Sequence, residues 1–132
     1  MKNLTTIGRI LYALPFAIIG LNHFLFLDFY IGNYSSFIPL GPYTIMLTGV
    51  FMIMASISII INKYIELSTI LLALLLFIFI VTIHIPGLFN GEKYQVALIE
   101  LLKDTSLLGG SLLIAGIMHD KRDKDEPKKS VE

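Results

Sequence analysis

Residues 67–85 read LSTILLALLLFIFIVTIHI, and this stretch decides the fold. It contains no Asp, Glu, Lys or Arg, and its apolar residues surround a helical axis on every side instead of forming one stripe. An α-helix needs about 20 such residues to cross the ~30 Å hydrocarbon core of a bilayer. The stretch therefore predicts a membrane-spanning helix.

Three further stretches extend this prediction along the chain. Residues 10–27 and 43–61 are also long and apolar. Residues 105–118 are apolar but too short to span a bilayer at ~1.5 Å per residue, so the last helix is expected to begin near Val96. A competing interpretation makes residues 92–104 an interfacial helix followed by a short, tilted span.

The composition agrees with a chain that folds in lipid. Of the 132 residues, 55% are hydrophobic and 15% are charged, whereas soluble domains carry roughly 25% charged residues. The chain has no cysteine, which excludes disulfides, thiolate metal sites and cysteine nucleophiles. We predict an all-α integral membrane bundle over residues 1–119 and a charged, disordered tail over residues 120–132. The expected spans cover residues 10–27, 43–61, 67–85 and 96–118.

Basic residues near the ends of the spans predict the orientation. Four spans place both termini and the connection at residues 62–66 on one side. Eight lysines and arginines lie on that side, and only Lys93 lies in a connection on the other. We therefore predict that both termini are cytoplasmic. The aromatic-rich connection at residues 28–42 is expected to lie on the outer membrane surface.

This topology brings polar residues of three helices to the outer end of the bundle. Charged residues near the centre of a membrane helix cost about 2.5–3.5 kcal/mol and normally face the bundle interior. The polar arc of the fourth helix, about 100° wide and including Ser111, is therefore expected to face inward toward two histidines. The candidate ligand-binding residues are Asn22, His23, His84, Glu100, Lys103 and Asp104.

Each candidate also has a purely structural interpretation. The two histidines are either hydrogen-bonded interfacial residues or a pair that binds a ligand or transfers protons. Glu100, Lys103 and Asp104 either form a salt-bridge network that fixes packing, or Asp104 orients one of the histidines. Two histidines could ligate haem, but nothing else marks a porphyrin pocket, and no third clear ligand marks a zinc or copper site. We therefore expect neither haem nor a metal ion.

Three motifs resemble the DoxX family of membrane proteins. GLNHF at residues 20–24 is similar to the G-x-x-H-F signature of that family. IPLGP at residues 38–42 is similar to its entry to the second helix, and residues 103–110 are similar to its K-D-x-x-x-x-G-G stretch. The resemblance covers nearly the whole chain up to the tail. It implies a small four-helix protein of the bacterial inner membrane, with His23, Lys103 and Asp104 as signature residues. Relatives include a thiosulfate:quinone oxidoreductase subunit and partners of oxidative-stress enzymes.

These observations predict a membrane subunit that binds a quinone-like or other small amphipathic ligand near the outer leaflet. It would support a redox or stress-response complex whose catalytic partner is a separate soluble or membrane protein. The chain alone is not expected to be an enzyme, and no patch predicts nucleic-acid binding. The alternatives are a small permease or exporter for a hydrophobic solute, or a scaffold that docks a soluble enzyme through residues 120–132. Homo-oligomerisation stays open.

Overall fold

The computed structural model describes residues 2–34 and 41–125, and within these ranges all regular structure is helical. The helices are α1 (Lys2–Leu25), α2 (Leu27–Tyr34), α3 (Pro42–Ile60), α4 (Ile65–Phe79), α5 (Ile85–Gly87) and α6 (Tyr94–Asp125), with a π-helical turn at Ile80–His84 between α4 and α5. Four helical stretches are long and apolar enough to cross a membrane: Asn3–Leu25, Pro42–Ile60, Ile65–Gly87 and Tyr94–Asp125. The predicted all-α class with four long apolar helices is confirmed.

The ends of the helices differ from the predicted spans. The last helix is continuous from Tyr94, so no separate interfacial helix forms at residues 92–104. The tail was predicted to be disordered from residue 120, but α6 continues to Asp125. Its last turns are held by an ion pair from Arg122 to Glu66 of α4, at 2.8 Å. Residues 126–132 lie outside the described part of the chain.

The aromatic connection between the first two spans contains a short helix, α2. Residues 35–40, which hold most of the IPLGP motif, lie outside the described residues. The second span then begins sharply at its proline. Gly41 adopts a positive φ of 54°, and Pro42 occupies the first turn of α3, where its missing N–H costs no hydrogen bond.

The long helices pack in an antiparallel order, with α1 against α3, α3 against α4, and α4 against α6. The core is formed by apolar residues of α1, α3 and α4: Ala13, Phe16, Met52, Ala55, Ile59, Leu72 and Leu76. Tyr12 of α1 reaches α6 and donates a hydrogen bond to the carbonyl of Leu107 at 3.1 Å. This contact joins the first and last long helices.

Polar and apolar side chains are arranged in the opposite way from a soluble domain, with hydroxyl groups buried inside and large apolar side chains exposed. The hydroxyl side chains of Ser56, Thr69 and Ser111 are fully buried, whereas Leu113 is 70% exposed and Leu11 is 64% exposed. Ser56 donates to the carbonyl of Ala13 at 2.8 Å, and Thr69 donates to that of Ile65 at 2.8 Å. Soluble monomers rarely expose so continuous an apolar surface. The outside of this bundle is therefore suited to an apolar solvent.

Two glycines set the distance between α1 and α3. A methyl group added at Gly49 would lie 2.7 Å from the carbonyl oxygen of Gly20, and one added at Gly20 would lie 2.8 Å from that of Gly49. The obstacle in both directions is backbone, which cannot rotate away as a side chain can. Small residues of this kind let helices approach closely where no hydrophobic effect drives them together.

We expect Gly49→Ala to destabilise the bundle by about 1–3 kcal/mol, because the added methyl overpacks the α1–α3 contact. Gly116→Ala is the matched control, since nothing lies within 4 Å of a methyl group added there. That variant should be neutral or more stable by up to about 1 kcal/mol, as usual for Gly→Ala in a helix. The measurement is the midpoint of thermal unfolding in detergent. Equal midpoints for both variants would contradict the close approach.

Candidate functional site

A buried pair of ionisable side chains joins the π turn after α4 to α6 at one end of the bundle. His84 donates from Nε2 to Oδ2 of Asp104 at a distance of 2.9 Å. Both residues are buried, with 8% of His84 and 5% of Asp104 exposed. A carboxylate bonded to one imidazole nitrogen fixes the tautomer and orientation of the ring. The pair is therefore a preorganised polar site within an apolar interface.

The π turn at Ile80–His84 turns the imidazole toward α6. The buried face of α4 includes Ile65, Thr69, Leu72 and Leu76. If this 3–4 residue spacing continued in a regular α-helix, Ile83 would face inward, seven residues after Leu76, and His84 would lie about 100° further around the axis. In the π turn the N–H of Ile85 bonds to the carbonyl of Ile80, five residues back. One residue is thereby inserted, and His84 takes the inward position.

Pro86 accounts for the location of this turn. A proline has no N–H for the carbonyl four residues earlier, here that of Thr82, and its ring collides with that carbonyl in a regular helix. Widening the preceding turn to the π form relieves the collision, and such π turns are frequent at functional sites. The sequence signal for the orientation of His84 is thus the proline two residues after it.

Two further charged residues connect the buried pair to the surface. The ammonium group of Lys103 bonds to the carboxylate of Glu100 and lies 3.8 Å from Oδ1 of Asp104. The side chain of Asp104 is 7% exposed, whereas that of Glu100 is 36% and that of Lys103 is 44% exposed. The polar arc of α6 therefore only partly faces inward. Asp104 and Ser111 are buried, but Lys103 lies on the exposed edge, because α4 covers less than the full arc.

The cluster also offers ligands for a metal ion. His84, Glu100 and Asp104 each present one ligand atom, and these atoms lie within 4.8 Å of one another. The third ligand, which the sequence argument did not find beside two histidines, is Glu100 on the same helix as Asp104. One imidazole and two carboxylates suit zinc or iron. However, the ammonium group of Lys103 already supplies positive charge to both carboxylates, and a metal ion would have to displace it.

His23 belongs to a different interface from His84. It donates from Nδ1 to the carbonyl of Ile19 at 2.7 Å, and its ring stacks on Tyr30 of α2 with centroids 4.2 Å apart. Asn22 lies half-buried beside it. Within residues 2–34 and 41–125, no hydrogen bond or ring contact joins His23 to the α6 cluster. The structure thus brings together four of the six predicted site residues, and leaves Asn22 and His23 at the α1–α2–α3 contact.

Tyr12 is a polar contact that sequence reasoning missed. Besides its bond to Leu107, its hydroxyl shares a short hydrogen bond with that of Ser111. A single tyrosine in an apolar run gives no signal of its own. The sequence signal that could have indicated this contact is Ser111, because it belongs to the polar arc of the fourth helix that was predicted to face inward. Tyr12 thereby fixes α6 to α1 about one turn from Asp104.

Comparison with known protein families, with curated proteins and with solved structures finds no match. Membership of the DoxX family therefore stays a prediction from the motifs. Two of these motifs have visible structural roles. GLNHF contributes Gly20 to the close approach of α1 and α3, and residues 103–104 form part of the polar cluster.

We expect strong coupling between His84 and Asp104 in a double-mutant cycle. His84→Leu and Asp104→Leu should each destabilise the protein by about 3 kcal/mol, because each leaves a buried polar partner unsatisfied. The double variant should recover most of that loss, since no unpaired group remains. The measurement is unfolding in mixed detergent micelles. Additive losses in the double variant would contradict the buried hydrogen bond.

Proposed function

We propose that this chain is an integral membrane protein with four spans and cytoplasmic termini. The support is a pair of charged clusters that bracket an apolar zone. Glu66 with His119 and Arg122 lies where the start of α4 meets the last turns of α6, and His84 with Asp104 lies where the π turn after α4 meets the first half of α6. No Asp, Glu, Lys or Arg occurs between them, in residues 67–83 or 105–118. The zone is about 22–27 Å long at ~1.5 Å per residue, close to the ~30 Å of a bilayer core.

The distribution of basic residues supports the proposed orientation. A cysteine-free chain allows a direct test with single cysteines placed in the connections before and after the third span, Ile65–Gly87. We expect Lys63→Cys to react with a membrane-impermeant maleimide in inside-out vesicles only, and Lys93→Cys in right-side-out vesicles only. The reverse pattern would overturn the orientation. Reaction of both variants from the same side would overturn the proposed span between them.

We further propose that the cluster of His84, Glu100, Lys103 and Asp104 binds the polar head of a quinone-like amphipathic molecule near the outer leaflet. The observation that carries this proposal is the buried His84–Asp104 bond, which opens to the surface through Glu100 and Lys103 where the apolar zone ends. Ionisable residues at such positions in membrane proteins usually mark binding sites or proton pathways. An apolar tail could remain in the surrounding lipid.

The geometry gives each residue a role. Lys103 can donate to a carbonyl oxygen of the head, since an ammonium carries three donors. Reduction of a quinone consumes protons, and Glu100, Asp104 and His84 form a graded path from the exposed edge to the buried imidazole. The chain has no cysteine to carry electrons. In this proposal the electrons come from a separate redox partner, and this chain acts as a non-catalytic, ligand-binding subunit of a redox or stress-response complex.

Photo-crosslinking with an azido-quinone in proteoliposomes tests this proposal. We expect His84→Ala and Asp104→Asn each to weaken labelling at least about tenfold, which corresponds to the loss of one strong hydrogen bond. His23→Ala is the matched control because His23 lies at another helix interface, and its labelling should equal that of the wild type. Equal labelling of all four proteins would remove the proposal. Loss of labelling in His23→Ala alone would move the site to α1.

A further inference from the structure

Two adjoining cavities lie at the opposite end of the bundle from the polar cluster. A cleft of about 460 Å³ separates the start of α4 from the end of α6, and a groove of about 480 Å³ runs between α3 and α4. Both are lined by Tyr64 and Leu67, so they adjoin at these two residues. Neither belongs to the His84–Asp104 site.

The cleft and the groove differ in chemistry. The cleft presents Lys121 and Arg122, while its remaining wall includes the apolar side chains of Ile70 and Met118. The groove is lined mainly by apolar side chains, including Phe51, Met54, Leu71 and Leu75, with the hydroxyl groups of Ser58 and Ser68 among them. Between Tyr64 and Leu75 helix α4 rises about 16 Å, which matches half of the ~30 Å hydrocarbon core. A cationic end and an apolar end of this length fit a molecule with an anionic head and an acyl chain.

We propose that the cleft and the groove together bind one anionic phospholipid of the cytoplasmic leaflet. Its phosphate contacts Lys121 and Arg122, and one acyl chain lies in the groove between α3 and α4. The proposal rests on the proposed topology, which places the cleft at the cytoplasmic boundary. It does not depend on what the outer polar cluster binds.

The charges in the cleft favour an anionic head. Arg122 uses Nη1 for Glu66, at 2.8 Å, and Nη2 for His119, at 2.9 Å, while its Nε lies 3.9 Å from Asp123. Nη1 and Nη2 each carry a second N–H, and these two donors lie in a planar fork that matches phosphate geometry. Among residues 2–34 and 41–125, Lys121 forms no ion pair with a carboxylate. The lining residues therefore carry two positive charges against the single negative charge of Glu66. Juxtamembrane lysines and arginines of this kind attract anionic lipids.

Tyr64 stands where the two cavities meet. It has a left-handed backbone conformation, with a φ of 55°, which non-glycine residues adopt only at a cost. This conformation leaves the residue 80% exposed at the boundary between the charged and apolar parts. Tyrosine prefers this depth in a membrane because its ring is apolar and its hydroxyl is polar. The strained turn therefore places a side chain suited to the membrane interface between the proposed positions of the lipid headgroup and the acyl chain.

Native mass spectrometry of the purified full chain tests the proposal with dioleoyl phosphatidylglycerol and dioleoyl phosphatidylcholine, which share their acyl chains. The wild type should retain the anionic lipid about tenfold better. Lys121→Gln combined with Arg122→Gln should abolish that preference, and Lys121→Gln alone, which breaks no ion pair between described residues, should reduce it about threefold. Leu71→Trp should weaken retention of both lipids because it fills the groove. Equal retention of both lipids by the wild type would overturn the proposal.

Three control variants keep the test specific. Lys124→Gln lies on the same helix but does not line the cleft, and Leu113→Trp adds the same bulk on an exposed face of α6; both should retain lipid like the wild type. His84→Gln should also leave retention unchanged. Loss of retention in His84→Gln would place the lipid in the outer cluster and overturn this proposal alone. A dimer that Leu71→Trp dissociates, with lipid retention unchanged, would show that a second copy occupies the groove.

Discussion

Polar groups inside this bundle depend on partners within the protein, because the surface around the bundle is apolar and offers no hydrogen bonds. The hydroxyl groups of Ser56 and Thr69 meet this constraint by donating to backbone carbonyls. Tyr12 does so across the α1–α6 contact. The imidazole of His84 and the carboxylate of Asp104 satisfy each other. Since an unsatisfied buried group costs several kcal/mol in hydrocarbon, these pairs fix how the helices rotate as well as where they touch.

The same constraint explains where the ionisable side chains are found. They are confined to the two ends of the apolar zone, and in the proposed membrane topology a charge costs less there than at the centre. At one end Arg122 and His119 converge on Glu66. At the other end the buried pair lies beside Glu100 and Lys103, which are more exposed. Each cluster joins α4 to α6, so the ion pairs align the two helices along their axes while small and apolar residues pack between them.

Much of this arrangement follows from the sequence. The first three long helices could be predicted because their apolar runs are long and free of charge, and the fourth because residues 105–118 are too short to span a bilayer alone. The inward position of Asp104 and Ser111 followed from helical spacing. The separation of His23 from His84 could not be predicted. The sequence placed both residues near the same end of the bundle, but it did not indicate which neighbouring helix each side chain faces. Residues 120–125 were predicted to be disordered because their composition is highly charged. Composition does not reveal the ion pair between Arg122 and Glu66 that holds this part of α6. Tyr12 was missed for the same reason, as its partner is a backbone carbonyl almost a hundred residues away.

The orientation of His84 shows how one local irregularity links the fold to the site. An uninterrupted α-helix would turn Ile83 inward and leave Asp104 without an imidazole partner. Pro86 makes an uninterrupted helix unfavourable near its end, and the resulting π turn advances the inward face by one residue. The cost of the irregularity is small because it lies near the end of the span, where only α5 follows. A histidine and a proline two residues apart thus act as one unit, in which the proline sets the rotation and the histidine supplies the chemistry.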